Sequence, residues 1–185
     1  MQLIHGVQRE REPFVAHEVR GFPGAKRLGT GRKVTIAVAA FPNGHPLSRS
    51  RSQDIDTLLA KEAAGANLAI TQLFFEPDDY LRLVEDARAA GVTMPILPGI
   101  QPVLSEARLH RILELTHVPM PERLLRELRA AEHPAAVGIA HASALARDVL
   151  AGGAPGIHLY TSNRSEAPLA ILDDVGLLTS REIPA

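Results

Sequence analysis

The sequence predicts an α/β protein built from parallel βα repeats, and three observations carry that prediction. Short runs of β-branched and small apolar residues recur without polar alternation, as in strands buried on both faces. Each run is followed by a stretch with helical periodicity. Glycines close several of those stretches, where a left-handed residue ends a helix.

The first strand is VTIAVAAF, residues 34–41. A polar loop, PNGHPLSRSRS, leads into the helical segment QDIDTLLAKEAAGA, residues 53–66. There Ile55, Leu58, Leu59 and Ala63 fall on one stripe, with a stop at Gly65. LAITQLFF (68–75) is the second strand. PDDYLRLVEDARAAG (77–91) is the second helix, opening on Pro and acids and ending at Gly91. MPILPGI (94–100) is the third strand, and SEARLHRILELT (105–116) the third helix, capped by Ser105. An inserted helix, PERLLRELRAAE (121–132), breaks the rhythm before the long helix AVGIAHASALARDVLAGG (136–153). GIHLYTS (156–162) is the fourth strand. The last helix is SNRSEAPLAILDDVG (162–176), with Asn163 and Glu166 spaced as a capping box. The crossovers are expected to be right-handed. Residues 34–178 thus form one domain, after a poorly patterned segment, 1–33, and before a short tail, 179–185. Gly29-Thr30-Gly31 lacks the Lys-Ser/Thr ending of a phosphate loop and reads as a turn.

Composition removes several function classes. The chain has no Cys, which excludes a disulfide scaffold, a thiolate nucleophile and Cys-based metal sites. A formal net charge of -1 lacks the basic footprint of a general nucleic-acid binder. No apolar run approaches a membrane span, and the N-terminus lacks a signal-peptide core, so the expected compartment is the cytoplasm. The 185 residues are fewer than the roughly 200 of a small (β/α)8 barrel.

Sites of parallel α/β folds form at the C-terminal ends of strands. Those positions here carry Phe41, Asn43, His45, Arg49 and Arg51, then Gln72, then Gln101, and finally Tyr160, Thr161, Asn163 and Arg164. Each has two readings. Gln72, among apolar neighbours, is either a structural amide bonded to main chain or a ligand contact. His45 is a solvated loop residue or a site residue. Arg49, Arg51 and Arg164 are solvated charges or anion contacts near helix starts. No zinc-type His spacing or nucleophile elbow is present.

The segments VAAFPNGHP, GANLAITQLFF, ILPGIQPV and HLYTSNRSE, in this order, resemble the methylenetetrahydrofolate reductase family. The similarity covers roughly residues 34–178. It implies a (βα)8 TIM barrel, of which this chain resembles the last four units. It also implies FAD at the C-terminal face, hydride from NADH or NADPH, and reduction of 5,10-methylenetetrahydrofolate to 5-methyltetrahydrofolate in one-carbon and methionine metabolism. Carried over by the motifs, Gln72 and Arg164 are substrate-binding, the former on the folate pterin, the latter near folate and nicotinamide. Phe41, His45, Asp54 and Lys61 match flavin-contacting positions, Phe41 standing where Tyr is common. Thr57 and Ala60 replace an Asn and an Arg of the flavin-binding helix, and Arg108 and Ile112 a Gln and a Phe of the folate loop. The family's proton-transferring Glu and an RGD Asp belong to the first half-barrel and find no match, so no catalytic residue and no metal ligand is assigned. The expected partners are a tetrahydrofolate-type small molecule and a second copy, or another chain, that closes the barrel. The alternative is a non-catalytic folate- or flavin-binding half-barrel.

Overall fold

Buried strands alternate with amphipathic helices in the computed structural model, which describes residues 35–178. Residues 1–34 and 179–185, including Gly29-Thr30-Gly31 and Val34 at the start of the expected first strand, lie outside the described residues. The element order is β1 (Ala37–Ala40), α1 (Arg51–Ala63), β2 (Leu68–Thr71), α2 (Pro77–Ala89), β3 (Ile96–Leu97), β4 (Gly99–Ile100), α3 (Glu106–Thr116), α4 (Glu122–Ala130), α5 (Pro134–Ala151), β5 (His158–Leu159) and α6 (Glu166–Asp174).

All the strand pairs are parallel. β1, β2 and β3 form one sheet in that order, and β4 pairs with β5. The expected third strand is therefore interrupted at Pro98. Proline has no N–H to give a ladder. Up to Leu97 the strand pairs with β2; from Pro98, whose carbonyl accepts the His158 N–H at 2.9 Å, it pairs on its other side with β5. The Gly99 N–H leaves the ladder and donates to the Thr71 hydroxyl at 2.8 Å.

Period-two alternation sorts the strand residues onto two faces. Ala40, Ala69 and Ile96 point towards the helices and join Leu58, Leu83 and Val149 in the main core. The opposite face carries a row in register, Ala39, Ile70 and Leu97, exposed or half-buried. In α1 the buried stripe is Ile55 and Leu58, with Leu59 packed at its edge; Ala63, expected on that stripe, is exposed because the helix ends there. Gly65 and Gly91 follow α1 and α2 with φ of +100° and +96°, the left-handed conformation that ends both helices.

Polar side chains fasten the layers. The Tyr80 hydroxyl of α2 donates to the Ile96 carbonyl at 2.8 Å, and burial pushes its pKa up to about 12. Glu62, in the last turn of α1, accepts from the Thr93 hydroxyl and from the N–H groups of Thr93 and Met94. Those bonds, the Thr93 hydroxyl first, hold its carboxyl below the usual range.

The inserted helix α4 has its own reason to exist. Leu124, Leu125 and Leu128 share one face and pack with Leu109 and Ile112 of α3, Val103, Leu73 and Phe75 in a second core. Ser105 caps α3 as expected, accepting the Arg108 N–H at 3.2 Å. The capping box at α6 does not form. Ser165 precedes the helix without a side-chain cap bond, and Asn163 sits in a left-handed turn with Ser162, at φ of 60° and 52°.

Candidate functional site

The loop leaving β1 is shaped by short-range bonds. Gly44 N–H donates to the Phe41 carbonyl at 3.1 Å, and Ser48 N–H to the His45 carbonyl at 2.9 Å. The Phe41 and His45 rings meet edge to face with centroids 4.6 Å apart. Asp54, in the first turn of α1, accepts the His45 N–H at 3.2 Å and the Ser48 hydroxyl. Two turns along the same helix face, Lys61 Nζ donates to the Ala39 carbonyl at 2.7 Å. Burial lowers the Lys61 pKa, and the Asp54 charge partly offsets this.

Phe41, His45, Asp54 and Lys61 thereby line one cleft of about 450 Å³ at the end of β1. The two arginines of this loop do not join it. Arg51 pairs with Asp86 at 2.9 Å and donates to the Pro42 carbonyl, which fastens the loop to α2. Arg49 is exposed, and its N–H donates to the Gln53 side chain at 2.8 Å.

A second cleft, about 250 Å³, opens where β4 and β5 end. Arg164 lines it, as do Gln101, Arg108, Tyr160 and Ser162. The Ser162 hydroxyl accepts from Gln101 Nε2 at 2.9 Å and from the Arg108 guanidinium. The Tyr160 hydroxyl donates to the Thr71 carbonyl at 3.2 Å. Only glycine fits at position 99, because a Cβ there would lie 2.3 Å from that carbonyl and 2.8 Å from the Tyr160 ring.

Gln72 stands beside these bonds, at the end of β2, and lines neither cleft. Its N–H donates to the Ala40 carbonyl at 2.8 Å, and its side-chain oxygen accepts the Leu73 N–H at 2.9 Å. The half-buried amide is thus oriented through its oxygen, with no bond to its Nε2 among the described residues. The structure gathers the four residues matched to flavin, keeps Arg164 apart in the β5 cleft, and leaves Gln72 on the strand between. Arg108 and Ser162 were not singled out as a pair by the sequence. They are far apart in the chain, and no local pattern announces a left-handed Ser162.

Among the described residues no group of three His, Cys, Asp or Glu side chains is placed to hold a metal ion. No described helix is long and apolar enough to cross a membrane.

Polar side chains collect at the C-terminal ends of parallel strands, the end at which parallel α/β folds carry their sites. The family model for methylenetetrahydrofolate reductase matches residues 26–176, and the chain belongs to that family. A protein of Caenorhabditis elegans, named as a probable methylenetetrahydrofolate reductase (NADPH), is 38% identical over 152 residues, covering 80% of this chain and 23% of that protein. Methylenetetrahydrofolate reductase (NADH) 1 of Arabidopsis thaliana is 32% identical over 161 residues, covering 80% and 27%. The 5,10-methylenetetrahydrofolate reductase of Escherichia coli (strain K12) is 34% identical over 146 residues, covering 77% and 49%. The chain thus spans between about a quarter and a half of the length of these relatives. Among solved structures, an uncharacterized protein from Clostridium thermocellum that binds two copies of 5-methyl-5,6,7,8-tetrahydrofolic acid aligns with a TM-score of 0.59 at 16% identity. That alignment covers 77% of this chain and 53% of the other, and it is a likeness of fold.

Proposed function

We propose that the chain contributes the folate- and flavin-binding half of a methylenetetrahydrofolate reductase. In the net reaction, 5,10-methylenetetrahydrofolate, NADH or NADPH, and a proton become 5-methyltetrahydrofolate and the oxidised nicotinamide. The observation that carries this reading is the convergence of Phe41, His45, Asp54 and Lys61 on one cleft at the C-terminal end of β1. The fold neighbour that binds 5-methyltetrahydrofolic acid lends support to a folate ligand.

The side chains of the first cleft suit FAD. Phe41 and Leu58 offer apolar walls, Asp54 an acceptor for hydroxyl groups, and Lys61 a cation for phosphate. When bound, the flavin supplies the two-electron chemistry between nicotinamide and folate. Thr57 turns its hydroxyl back to the Gln53 carbonyl at 2.7 Å, and Ala60 has no polar group, so among the described residues Lys61 is the one Lys or Arg that lines the cleft. Affinity for the dinucleotide is accordingly expected to be modest.

Gln72 then orients the pterin through its amide, and Arg164 lies where folate and nicotinamide approach. No residue of this chain is assigned as the acid that protonates the opening methylene bridge. The β1–β5 layout corresponds to the last four units of the barrel, with Pro98 dividing the third strand. Among the described residues β1 has a ladder only with β2, and β5 only with β4. The apolar row Ala39, Ile70 and Leu97 faces away from the helices. Both features favour closure by a second copy or a partner chain.

Spectroscopy of the purified chain, with an NAD(P)H assay on 5,10-methylenetetrahydrofolate, tests this reading. Bound flavin with folate reduction supports it. Folate binding without turnover leaves the non-catalytic half-barrel, and sedimentation then shows whether copies associate. A chain that binds neither flavin nor folate overturns it.

A further inference from the structure

The two outer strands carry main-chain groups without partners among the described residues, and those groups match each other. In β1 the Ala40 carbonyl accepts the Gln72 N–H, so alternation turns the main chain of Ala37 and Ala39 to the open edge. There the Lys61 ammonium already holds the Ala39 carbonyl. The Ala37 carbonyl and the Ala39 N–H remain. In β5 the N–H groups of His158 and Tyr160 donate to the Pro98 and Ile100 carbonyls, so Leu159 turns its own N–H and carbonyl outwards. Set beside Val38 of a second copy, Leu159 donates to the Ala37 carbonyl and accepts the Ala39 N–H. That is the parallel pattern of the other strand pairs.

The side chains agree with this register. Val38 and Leu159 both pack towards the main core. On the opposite face the exposed Ala37 and Ala39 then meet His158 and Tyr160, whose rings lie edge to face with centroids 4.7 Å apart. Small residues opposite large ones fill the interior of a small barrel. On α6 the Asp174 flank pairs with Arg147 of α5. Leu169 and Leu172, one turn apart, lie on the other flank, and Leu169, Leu177 and Leu178 are exposed. In a closed barrel that flank lies over the gap between β5 and the next strand.

The stagger of the strands agrees too. Along paired residues Ala39 leads to Ile70 and Leu97, and two residues on, Gly99 leads to His158. With His158 beside Ala37 of the second copy, the path ends two residues behind Ala39 after stepping two ahead. Each copy thus contributes four residues of stagger, and a circuit of both contributes eight. A (β/α)8 barrel closes at a stagger of about eight.

We infer that two copies of this chain close one eight-stranded barrel about a two-fold axis, Leu159 of each pairing with Val38 of the other. The inference rests on the half-barrel part of the proposed function and commits it to one partner and one register. It also sets the Phe41–His45 loop of one copy beside the Tyr160 end of the other, so both copies line the mouth of each seam.

The chain has no Cys, so an introduced pair reports the seam cleanly. Ala37→Cys combined with His158→Cys places the two thiols on facing residues of different copies, within disulfide reach. Ala39→Cys combined with His158→Cys is one pair out of register, beyond that reach. Sedimentation of the full chain at tens of micromolar is expected to give twice the mass of one chain. Mild oxidation is expected to give a covalent dimer with the first pair and not with the second. Ala37→Glu, at a position exposed in the single chain, is expected to keep the helical circular dichroism and sediment as a monomer, because closure would bury its charge. A monomeric wild type overturns the inference, and so does cross-linking of the second pair instead of the first. A folded Ala37→Glu that stays dimeric overturns it as well. Flavin and 5-methyltetrahydrofolate binding are measured on the same samples. A monomer that binds either ligand overturns the seam and leaves the reductase reading standing. A cross-linked dimer that binds neither supports the seam and overturns that reading.

Discussion

The Asp54 carboxylate accepts the main-chain N–H of His45 at 3.2 Å, so the first turn of α1 fixes the loop that leaves β1. The same carboxylate takes the Ser48 hydroxyl three residues further on. One acid therefore shapes the wall of the first cleft while lining it.

Replacing Asp54 by Ala removes both bonds and leaves the His45 N–H without its acceptor. The expected cost is about 1–3 kcal/mol of folding stability. Chemical denaturation measures that cost. Flavin retention on gel filtration should fall with it, since His45 and Phe41 lose their fixed orientation. Flavin retention equal to the wild type would show that the loop is held by other means.

Gly99 tests the close approach of the strand ends. A Cβ there meets the Thr71 carbonyl at 2.3 Å, which is backbone and cannot swing aside. Gly99→Ala is expected to destabilise the protein by about 3 kcal/mol and to disturb the Tyr160–Thr71 bond beside Gln72. A midpoint in urea within experimental error of the wild type would contradict the packing described.

His141 gives a pH dependence whose sign can be worked out. It lies in a groove between α2, α4 and α5, with its ring 6.3 Å from that of Phe75. Burial lowers its pKa below the ordinary 6.5, partly offset by Glu76 and Glu127, while Arg123 lowers it further. The folded chain thus holds this imidazole neutral where the unfolded chain takes up a proton. Stability is unaffected above about pH 6.5 and falls as the pH drops below it. His141→Phe should lose less stability than the wild type between about pH 7.5 and about pH 5.5, read as urea midpoints at both values. Parallel losses in the two proteins would refute this assignment.

Much of this architecture was legible because the signals were local. The Gly65 and Gly91 stops, the Ser105 cap and the stripe from Ile55 to Leu58 each depend on residues within a turn or two. The division of the third strand was not read, because it depends on Pro98 changing partners between β2 and β5. The Asn163–Glu166 spacing matched a capping box, but Asn163 adopts a left-handed φ and Ser165 takes the position before the helix. At the site, the order of motifs located the β1 loop residues, whose contacts run to the next helix. Arg108 and Ser162 meet only after two further helices and a strand have intervened, and nothing local marks that meeting.

The measurement closest to the central claim is the affinity of Gln72→Ala for 5-methyltetrahydrofolate, taken with its thermal midpoint. The account predicts a dissociation constant raised by about tenfold, as expected for a lost ligand hydrogen bond and its orientation. The midpoint should stay within about 2 °C of the wild type, because the main-chain bond from Gln72 to Ala40 survives. Equal affinity in the folded variant and the wild type would contradict the placement of folate at the end of β2.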